Sequence, residues 1–156
     1  MTDNSKAKQL VELLSTARTR LAKAEISSSL LDAEIITAHA LGKTRVWLHA
    51  HPEYVPNAAQ IHKIEALIAR RLNGEPVAYL TNHKDFFGHD FYINQYTLVP
   101  RPETETLIEM ITKLPYDSCQ FIDVGTGCGA IGISIALARP QWQGLLTDVS
   151  QEALVV

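Results

Sequence analysis

The sequence has few of the features that define secreted, metal-binding or membrane-spanning proteins. Its two cysteines, Cys119 and Cys128, form neither a metal-ligand spacing nor a disulfide framework, which favours a reducing, cytoplasmic compartment. No apolar run approaches the length of a membrane span, and residues 1–4 are polar, so we expect neither a signal nor an anchor. Basic residues are not in excess, because 14 Lys and Arg face 17 Asp and Glu for a net charge of −3. The charge balance therefore gives no support for direct nucleic-acid binding.

Apolar residues at helical spacing predict a bundle of about four helices at the N-terminus. The predicted helices cover residues 5–24, 28–42, 44–50 and 57–73. Ser29 with Asp32 three residues later resembles a capping box, and Gly42 fits the end of the second helix. At 156 residues with 46% hydrophobic content, the chain can form one domain of modest size or two small ones.

The titratable groups of these helices predict no metal site. The histidines lie singly on the predicted helices, without chelating spacing: His39, His49 and His62. Lys63, Arg70 and Arg71 form a small positive strip on the fourth helix. We favour a solvated face for this strip, and a docking patch for an acidic partner surface is the alternative.

After Gly74 the pattern becomes extended, which predicts a domain boundary between residues 74 and 82. Residues 84–87 and 90–93 flank Gly88-His89, a pair typical of a hairpin turn, so we predict a β-hairpin. Core packing is the favoured role of its aromatic residues, which are Phe86, Phe87, Phe91 and Tyr92.

A proline-rich run follows the predicted hairpin. Pro100 and Pro102 hold the chain extended, and Pro102 suits the first turn of a helix that continues through Ile111. Acids at a helix start are ordinary capping residues, which by itself accounts for Glu103. Capping does not account for the run Val99-Pro100-Arg101-Pro102 directly before it.

The stretch from Phe121 to Asp148 predicts a strand, a glycine loop, a helix and a second strand that ends in an acid. Gly125, Gly127 and Gly129 allow sharp turns and close approach of a ligand to the backbone. The first amides of the helix, near Ala130, suit an anionic or strongly polar group. Asp148 stands where doubly wound sheets place an acid on ribose hydroxyls.

Two cofactor classes use such a unit. Gly127-x-Gly129-x-x-Gly132 matches the dinucleotide fingerprint, which is weak support when it stands alone. The longer pattern Asp123-x-Gly125-x-Gly127-x-Gly129 is that of class I S-adenosylmethionine methyltransferases and fits better. A glycine-rich turn without a ligand is the remaining alternative.

Four segments together resemble the release-factor glutamine methyltransferase family, also called HemK or PrmC. They are Gly74-Glu75-Pro76-Val77-Ala78-Tyr79-Leu80, the Phe86-Phe87-Gly88 hairpin, Leu98 to Glu105, and Asp123 to Ile131. The Pro-Arg-Pro-Glu-Thr-Glu run makes the resemblance specific, and it covers all 156 residues.

The resemblance implies transfer of a methyl group from S-adenosylmethionine to the glutamine side-chain amide in the Gly-Gly-Gln motif of class I peptide chain release factors. It implies these cofactor-binding residues: Gly125, Thr126, Gly127, Cys128, Gly129 and Asp148. Asp123 would orient the loop or the cofactor ammonium. Family members more often carry Thr or Ser where this chain has Cys128. A cysteine here would preserve a backbone contact to the cofactor, but it would not preserve a hydrogen bond from a hydroxyl group.

The resemblance also implies a mixed α/β organisation that this sequence only begins. Residues 1–74 would be a helical substrate-recognition domain, 75–100 the hairpin and linker, and 101–156 the truncated first part of a Rossmann-like domain, with a last helix starting at Ser150. The family's Asn-Pro-Pro-Tyr segment, which grips the substrate amide, is absent from these 156 residues. We therefore assign no catalytic residue, and we expect this N-terminal fragment to be inactive alone.

Two other functions share parts of this pattern. A nicotinamide-dependent oxidoreductase would use the glycine loop to hold a pyrophosphate. A DNA or RNA amino-group methyltransferase would share the cofactor half, but the lack of a basic stripe disfavours it. The sequence leaves the oligomeric state open.

Overall fold

The computed structural model describes residues 9–156 of the chain. They form helices and two small sheets, and they divide into two compact units between Thr81 and Asn82. The fold class is therefore mixed α and β, as predicted. The domain limits inferred from the sequence, with the helical domain ending at residue 74, stay a prediction.

The first unit is helical and has a continuous apolar core. Its elements are α1 (Leu10–Lys23), α2 (Ser29–Leu41), α3 (Arg45–Ala50), α4 (Ala58–Leu72) and α5 (Val77–Thr81). Leu21, Ile36 and Ile68, from α1, α2 and α4, are almost fully buried in that core. The four predicted helices are thus confirmed, except that the expected start of the first at residues 5–8 lies outside the described residues.

Helix α5 replaces the extended structure predicted directly after Pro76. The Pro76 carbonyl accepts from the N–H groups of Tyr79 and Leu80, at 3.0 and 3.2 Å. Leu80 is 3% exposed and joins the core of the helical unit. Burial of Leu80 therefore outweighs the extended pattern, since tertiary packing commonly overrides local propensity.

Helix ends follow the sequence at most positions. Gly42 ends α2 with φ of 63°, and Asn57 and Gln60 form a reciprocal capping box at the start of α4. The capping box predicted from Ser29 and Asp32 is wrong, because α2 has no side-chain cap. Asp32 is instead buried and accepts from Arg71 Nε at 2.7 Å, across to α4.

The second unit contains both sheets. Its elements are β1 (His83–Phe86), β2 (His89–Tyr92), a 3₁₀ turn (Pro102–Thr104), α6 (Glu105–Thr112), β3 (Gln120–Val124), α7 (Ala130–Ala138), β4 (Gln143–Thr147) and a 3₁₀ turn (Ala153–Val155). Pro102 begins the first turn before α6, as predicted. The helix expected from Ser150 is only the last 3₁₀ turn, and Ser150, which precedes that turn, accepts from Ala153 N–H through its Oγ at 3.1 Å.

The hairpin forms, but its turn lies one residue earlier than predicted. Phe86 pairs with His89, so Phe87 and Gly88 are the turn residues and not Gly88-His89. Both have positive φ, 50° and 74°, as a two-residue turn of type I′ requires. The aromatic residues Phe86 and Phe91 pack edge to face in the interior, whereas Tyr92 is exposed.

Strands β3 and β4 pair in parallel, with Ile122 opposite Leu145 and Val124 opposite Thr147. Helix α7 connects them and packs on one face of the pair, where Leu146 lies against Gly129 and Gly132. The carboxyl ends of both strands therefore lie side by side, next to the glycine loop.

Candidate cofactor-binding site at the glycine loop

The loop between β3 and α7 depends on glycine for its backbone conformation. Gly125, Gly127 and Gly129 have φ of 76°, 57° and 76°, in the left-handed region that side chains disfavour. A Cβ at Gly125 would meet no atom within 4 Å, whereas one at Gly129 would lie 2.7 Å from Ile133 Cδ1. The loop is thus open at its start and closely packed at its end.

The end of β4 organises the start of the loop. The Thr147 carbonyl accepts from the N–H groups of both Gly125 and Thr126, at 2.8 and 2.9 Å. The Thr126 carbonyl then accepts from Gly129 N–H at 2.9 Å. The loop is therefore tied to the neighbouring strand before the helix begins.

Asp148 lies directly after β4 and contacts the loop itself. Its Oδ2 accepts from Gly127 N–H and its Oδ1 from Ser150 N–H, both at 2.9 Å. The backbone amide of Ser150 lowers the pKa of the Asp148 carboxyl most, and the amide of Gly127 lowers it further. Both amides stabilise the charged form of the carboxyl. The carboxylate is consequently ionised at neutral pH and closes the loop from the side of β4.

Asp123, in β3, holds the loop from the other side. Its Oδ2 accepts from Thr126 Oγ1 at 2.7 Å and from Gly132 N–H at 3.0 Å. Asp123 therefore caps the first turn of α7 as well as the loop. This geometry fits the loop-orienting role suggested for Asp123, and it uses one of the helical amides that the sequence left to a ligand.

The structure brings the predicted cofactor-binding residues together. Gly125 to Gly129 form one loop, and Asp148 contacts its middle through the Gly127 amide. Burial is the main cause that raises the pKa of the Cys128 thiol, so the sulfur is neutral at physiological pH.

Sequence reasoning missed two residues at this loop. The Thr147 carbonyl went unnoticed because a backbone acceptor leaves no sequence signal. Thr97, which is 3% exposed, lies beside Gly127, where an added Cβ would be 3.9 Å from Thr97 Cβ. A single threonine outside any motif carries no sequence signal for such a contact.

Other surfaces of the described chain are less suited to a polar cofactor. A cleft of about 450 Å³ lies at the opposite ends of the strands, beside Gln120, Phe121 and Gln143. Parallel sheets bind ligands at the carboxyl ends of their strands, so we do not assign the cofactor to that cleft. Residues 9–156 contain no group of three or more His, Cys, Asp or Glu side chains that could hold a metal ion.

The two arginines of the positive strip predicted on α4 form ion pairs within the helical unit. Within the positive strip of α4, Arg71 pairs with Asp32 and Arg70 with Glu75, so both arginines already have acidic partners. None of the helices described here combines the length and the apolar character needed to cross a membrane.

The geometry defines a class first. A glycine loop between a strand and a helix, with an acid at the end of the parallel neighbouring strand, is the arrangement in which α/β proteins bind nucleotide-containing cofactors. Residues 12–81, in the helical unit, match the family model described as the PrmC N-terminal domain.

Similar proteins identify the relationship more closely. The release factor glutamine methyltransferase of Nitratidesulfovibrio vulgaris is 43% identical over 143 residues, covering 91% of this chain and 48% of the relative. The Coxiella burnetii protein of the same name is 43% identical over 128 residues, covering 81% and 46%. That of Escherichia coli is 36% identical over 124 residues, covering 79% and 45%.

The chain is thus a relative of the release factor glutamine methyltransferases over most of its length, and the predicted resemblance of its residues to the N-terminal part of that family is confirmed. It spans about half the length of the curated relatives that it matches.

Proposed function

We propose that this chain provides the helical domain and the cofactor-binding part of an S-adenosylmethionine-dependent methyltransferase. Its substrate is the glutamine side-chain amide in the Gly-Gly-Gln motif of class I peptide chain release factors. The observation that carries the proposal is the closure of the glycine loop onto Asp148, in a chain similar to proteins named for this activity. Residues 101–156, within the second unit, then correspond to the first part of a Rossmann-like domain.

The residues at the loop fit such a cofactor. The backbone of Gly125 faces open space, so a ligand can approach it without meeting a side chain. A carboxylate offers about four acceptor sites. The amides of Gly127 and Ser150 occupy one site on each oxygen of Asp148, which leaves acceptor capacity for the ribose hydroxyls.

The remaining loop residues are assigned from the resemblance to the family, and their contacts are consistent with it. Gly125 to Gly129 surround the methionine end of the cofactor, and Asp123 fixes the loop through Thr126 and Gly132. When bound, S-adenosylmethionine supplies a methyl group on a positively charged sulfur. The loop and Asp148 would orient that group, which is the contribution that positioning makes to transfer.

The helical domain is proposed to recognise the release factor, in the cytoplasm, where peptide release takes place. The match of residues 12–81 to the PrmC N-terminal domain supports a separate N-terminal domain for this role. No direct contact with nucleic acid or membrane is part of the proposal.

The experiment uses the protein in its full natural length, a class I release factor and S-adenosylmethionine. Mass spectrometry of the release-factor peptide should show one added methyl group on the Gly-Gly-Gln glutamine. The Asp148→Ala variant should lose most of this transfer, whereas Glu109→Gln, which changes an exposed ion pair on α6, should retain it. The isolated 156-residue chain should transfer none, because it contains no Asn-Pro-Pro-Tyr. An unmodified glutamine in the wild-type reaction would contradict the substrate assignment.

A further inference from the structure

Glu105 makes a contact that neither helix capping nor the cofactor-binding residues account for. It is the first residue of α6 and belongs to the proline-rich run, yet its Oε1 accepts from the N–H of Phe87 at 3.0 Å. Phe87 lies in the turn of the β1–β2 hairpin. One carboxylate therefore joins the hairpin turn to the start of α6.

The turn that Glu105 contacts has an unfavourable backbone. Phe87 has φ of 50°, in a region where a bulky side chain is rarely found. A hydrogen bond from its amide to a carboxylate is charge-assisted and stronger than one to a neutral acceptor. The hydrogen bond to Glu105 consequently stabilises the positive-φ conformation of Phe87, which is unfavourable without it.

The segment after the hairpin leads to the glycine loop. Ile93 is fully buried, and it exchanges two hydrogen bonds with Asn82, through its N–H at 3.1 Å and its carbonyl at 3.0 Å. Asn94 then turns the chain by accepting from Tyr96 N–H at 2.9 Å. Thr97 follows, buried and beside Gly127.

The same segment returns to Glu105 through the 3₁₀ turn at Pro102–Thr104. We name residues 94–101 the connector. It begins after the open end of the hairpin, where Tyr92 pairs with His83, and it leads through the 3₁₀ turn to Glu105. The Glu105–Phe87 hydrogen bond therefore closes a chain segment, residues 88–104, that contains the connector and Thr97 beside Gly127.

We propose that Glu105 is a positioning residue for the glycine-loop site: by binding the Phe87 amide, it fixes the connector beside Gly127. This inference rests on the proposed function, since the ligand of that site is the sulfonium cofactor. It also gives the proline-rich run a role beyond the capping of α6.

The test compares three variants of the full natural protein. Glu105→Ala removes the acceptor, whereas Glu105→Gln retains an amide oxygen that can accept from Phe87. Glu109→Ala is the matched control, because Glu109 lies on the same helix in an exposed pair with Lys113, at 3.9 Å. Glu105→Asp, whose carboxylate is one methylene shorter, replaces the alanine variant if that variant does not fold.

Two readouts are measured well below the unfolding temperature. Hydrogen exchange should become faster in Glu105→Ala at the connector and the glycine loop. Binding of S-adenosylhomocysteine, measured by calorimetry, should weaken severalfold and by no more than about tenfold, because the lost hydrogen bond lies within the protein and acts on the ligand only through the position of the connector. Glu105→Gln should remain within about threefold of the wild type in affinity, and Glu109→Ala should change neither readout.

The outcomes separate this inference from the proposed function. Faster exchange confined to the hairpin, or unchanged affinity in Glu105→Ala with a wild type that binds, would overturn the role of Glu105 and leave the proposed function intact. A wild type that does not bind S-adenosylhomocysteine would contradict the proposed cofactor. The exchange measurement would then still decide whether Glu105 holds the connector.

Discussion

At the scale of residues, the glycine loop combines positions with different requirements. Gly125 needs glycine for its backbone angle alone, since a Cβ there would meet nothing within 4 Å. Gly129 needs it for its backbone angle and because a Cβ would lie 2.7 Å from Ile133 Cδ1 and 3.3 Å from Leu146 Cδ2. The open position is therefore available to a ligand, and the packed position supports the loop.

Alanine at these two positions should separate stability from binding. Gly125→Ala is expected to lower the free energy of unfolding by about 1 kcal/mol, the cost of a left-handed alanine. Gly129→Ala should lower it by roughly 2 to 4 kcal/mol, because overpacking adds to that cost. Urea denaturation measures both values. Calorimetry with S-adenosylhomocysteine should show about tenfold weaker binding for the folded Gly125→Ala protein. Equal affinity for this variant and the wild type would contradict a ligand at Gly125.

The Asp148 carboxylate should give a distinct pH response. The amides of Ser150 and Gly127 lower its folded-state pKa. The ionised carboxylate therefore stabilises the folded protein at pH values above the ordinary aspartate pKa. This contribution is lost as pH falls through the lower pKa of the folded state. The amide proton shift of Gly127, measured by NMR, should therefore be constant between about pH 5 and 8 and change only in more acidic solution. Asp148→Asn should abolish that acidic change. A midpoint at or above the ordinary aspartate value would show that the amides do not stabilise the charge.

At the scale of elements, two ion pairs of the helical unit differ in burial. Asp32 and Arg71 join α2 to α4, and their side chains are only 7% and 19% exposed. Arg70 and Glu75 pair at the end of α4 with side chains 51% and 31% exposed. Because removal of one partner from a buried pair leaves an uncompensated charge, the two pairs should respond differently to substitution.

Neutralising one acid in each pair tests this difference. Asp32→Asn should lower the free energy of unfolding by about 3 kcal/mol, and Glu75→Gln by no more than about 1 kcal/mol. Urea denaturation can be followed by Trp47 fluorescence in a Trp142→Phe background, since Trp47 belongs to the helical unit. Equal losses would contradict the burial of the Asp32–Arg71 pair.

The elements also show which parts of the fold could be predicted from the sequence. Gly42 and Asn57 mark helix ends because each acts within one turn of the chain. Asp32 misled the prediction because its partner is Arg71, far along the sequence. The hairpin turn was placed one residue late because a glycine usually provides the positive φ, whereas here Phe87 also adopts it, with its amide bound by Glu105. Local signals were therefore predictable, and contacts between distant segments were not.

At the scale of the whole molecule, the parallel strand pair has one face covered by α7 and one face exposed. Ile122, Val124 and Leu145 share the exposed face and are 64%, 81% and 58% exposed. Parallel sheets are ordinarily covered on both faces, and exposed apolar patches of this kind promote association.

The order of helical unit, hairpin and glycine loop was predictable from the sequence, because each has its own periodicity or turn residues. The closure of the loop onto Asp148 was only partly readable, since it depends on backbone amides.

The exposed face gives a prediction for the isolated 156-residue chain. Val124→Lys combined with Leu145→Lys should reduce its self-association, because two charges replace exposed apolar side chains. Sedimentation velocity over a range of concentrations measures the change. Leu98→Lys, at a residue that is 74% exposed outside this face, is the control and should leave association unaltered. Equal association in all three proteins would exclude the sheet face as its cause.

The most direct test is an NMR titration of the full natural protein with S-adenosylhomocysteine, with NADH as the comparison ligand. The account predicts shifts of the Gly125 to Gly129 amides and of Asp148 with S-adenosylhomocysteine, no such shifts with NADH, and loss of the response in Asp148→Ala. Shifts confined to another surface, or a loop that responds to NADH and not to S-adenosylhomocysteine, would contradict it.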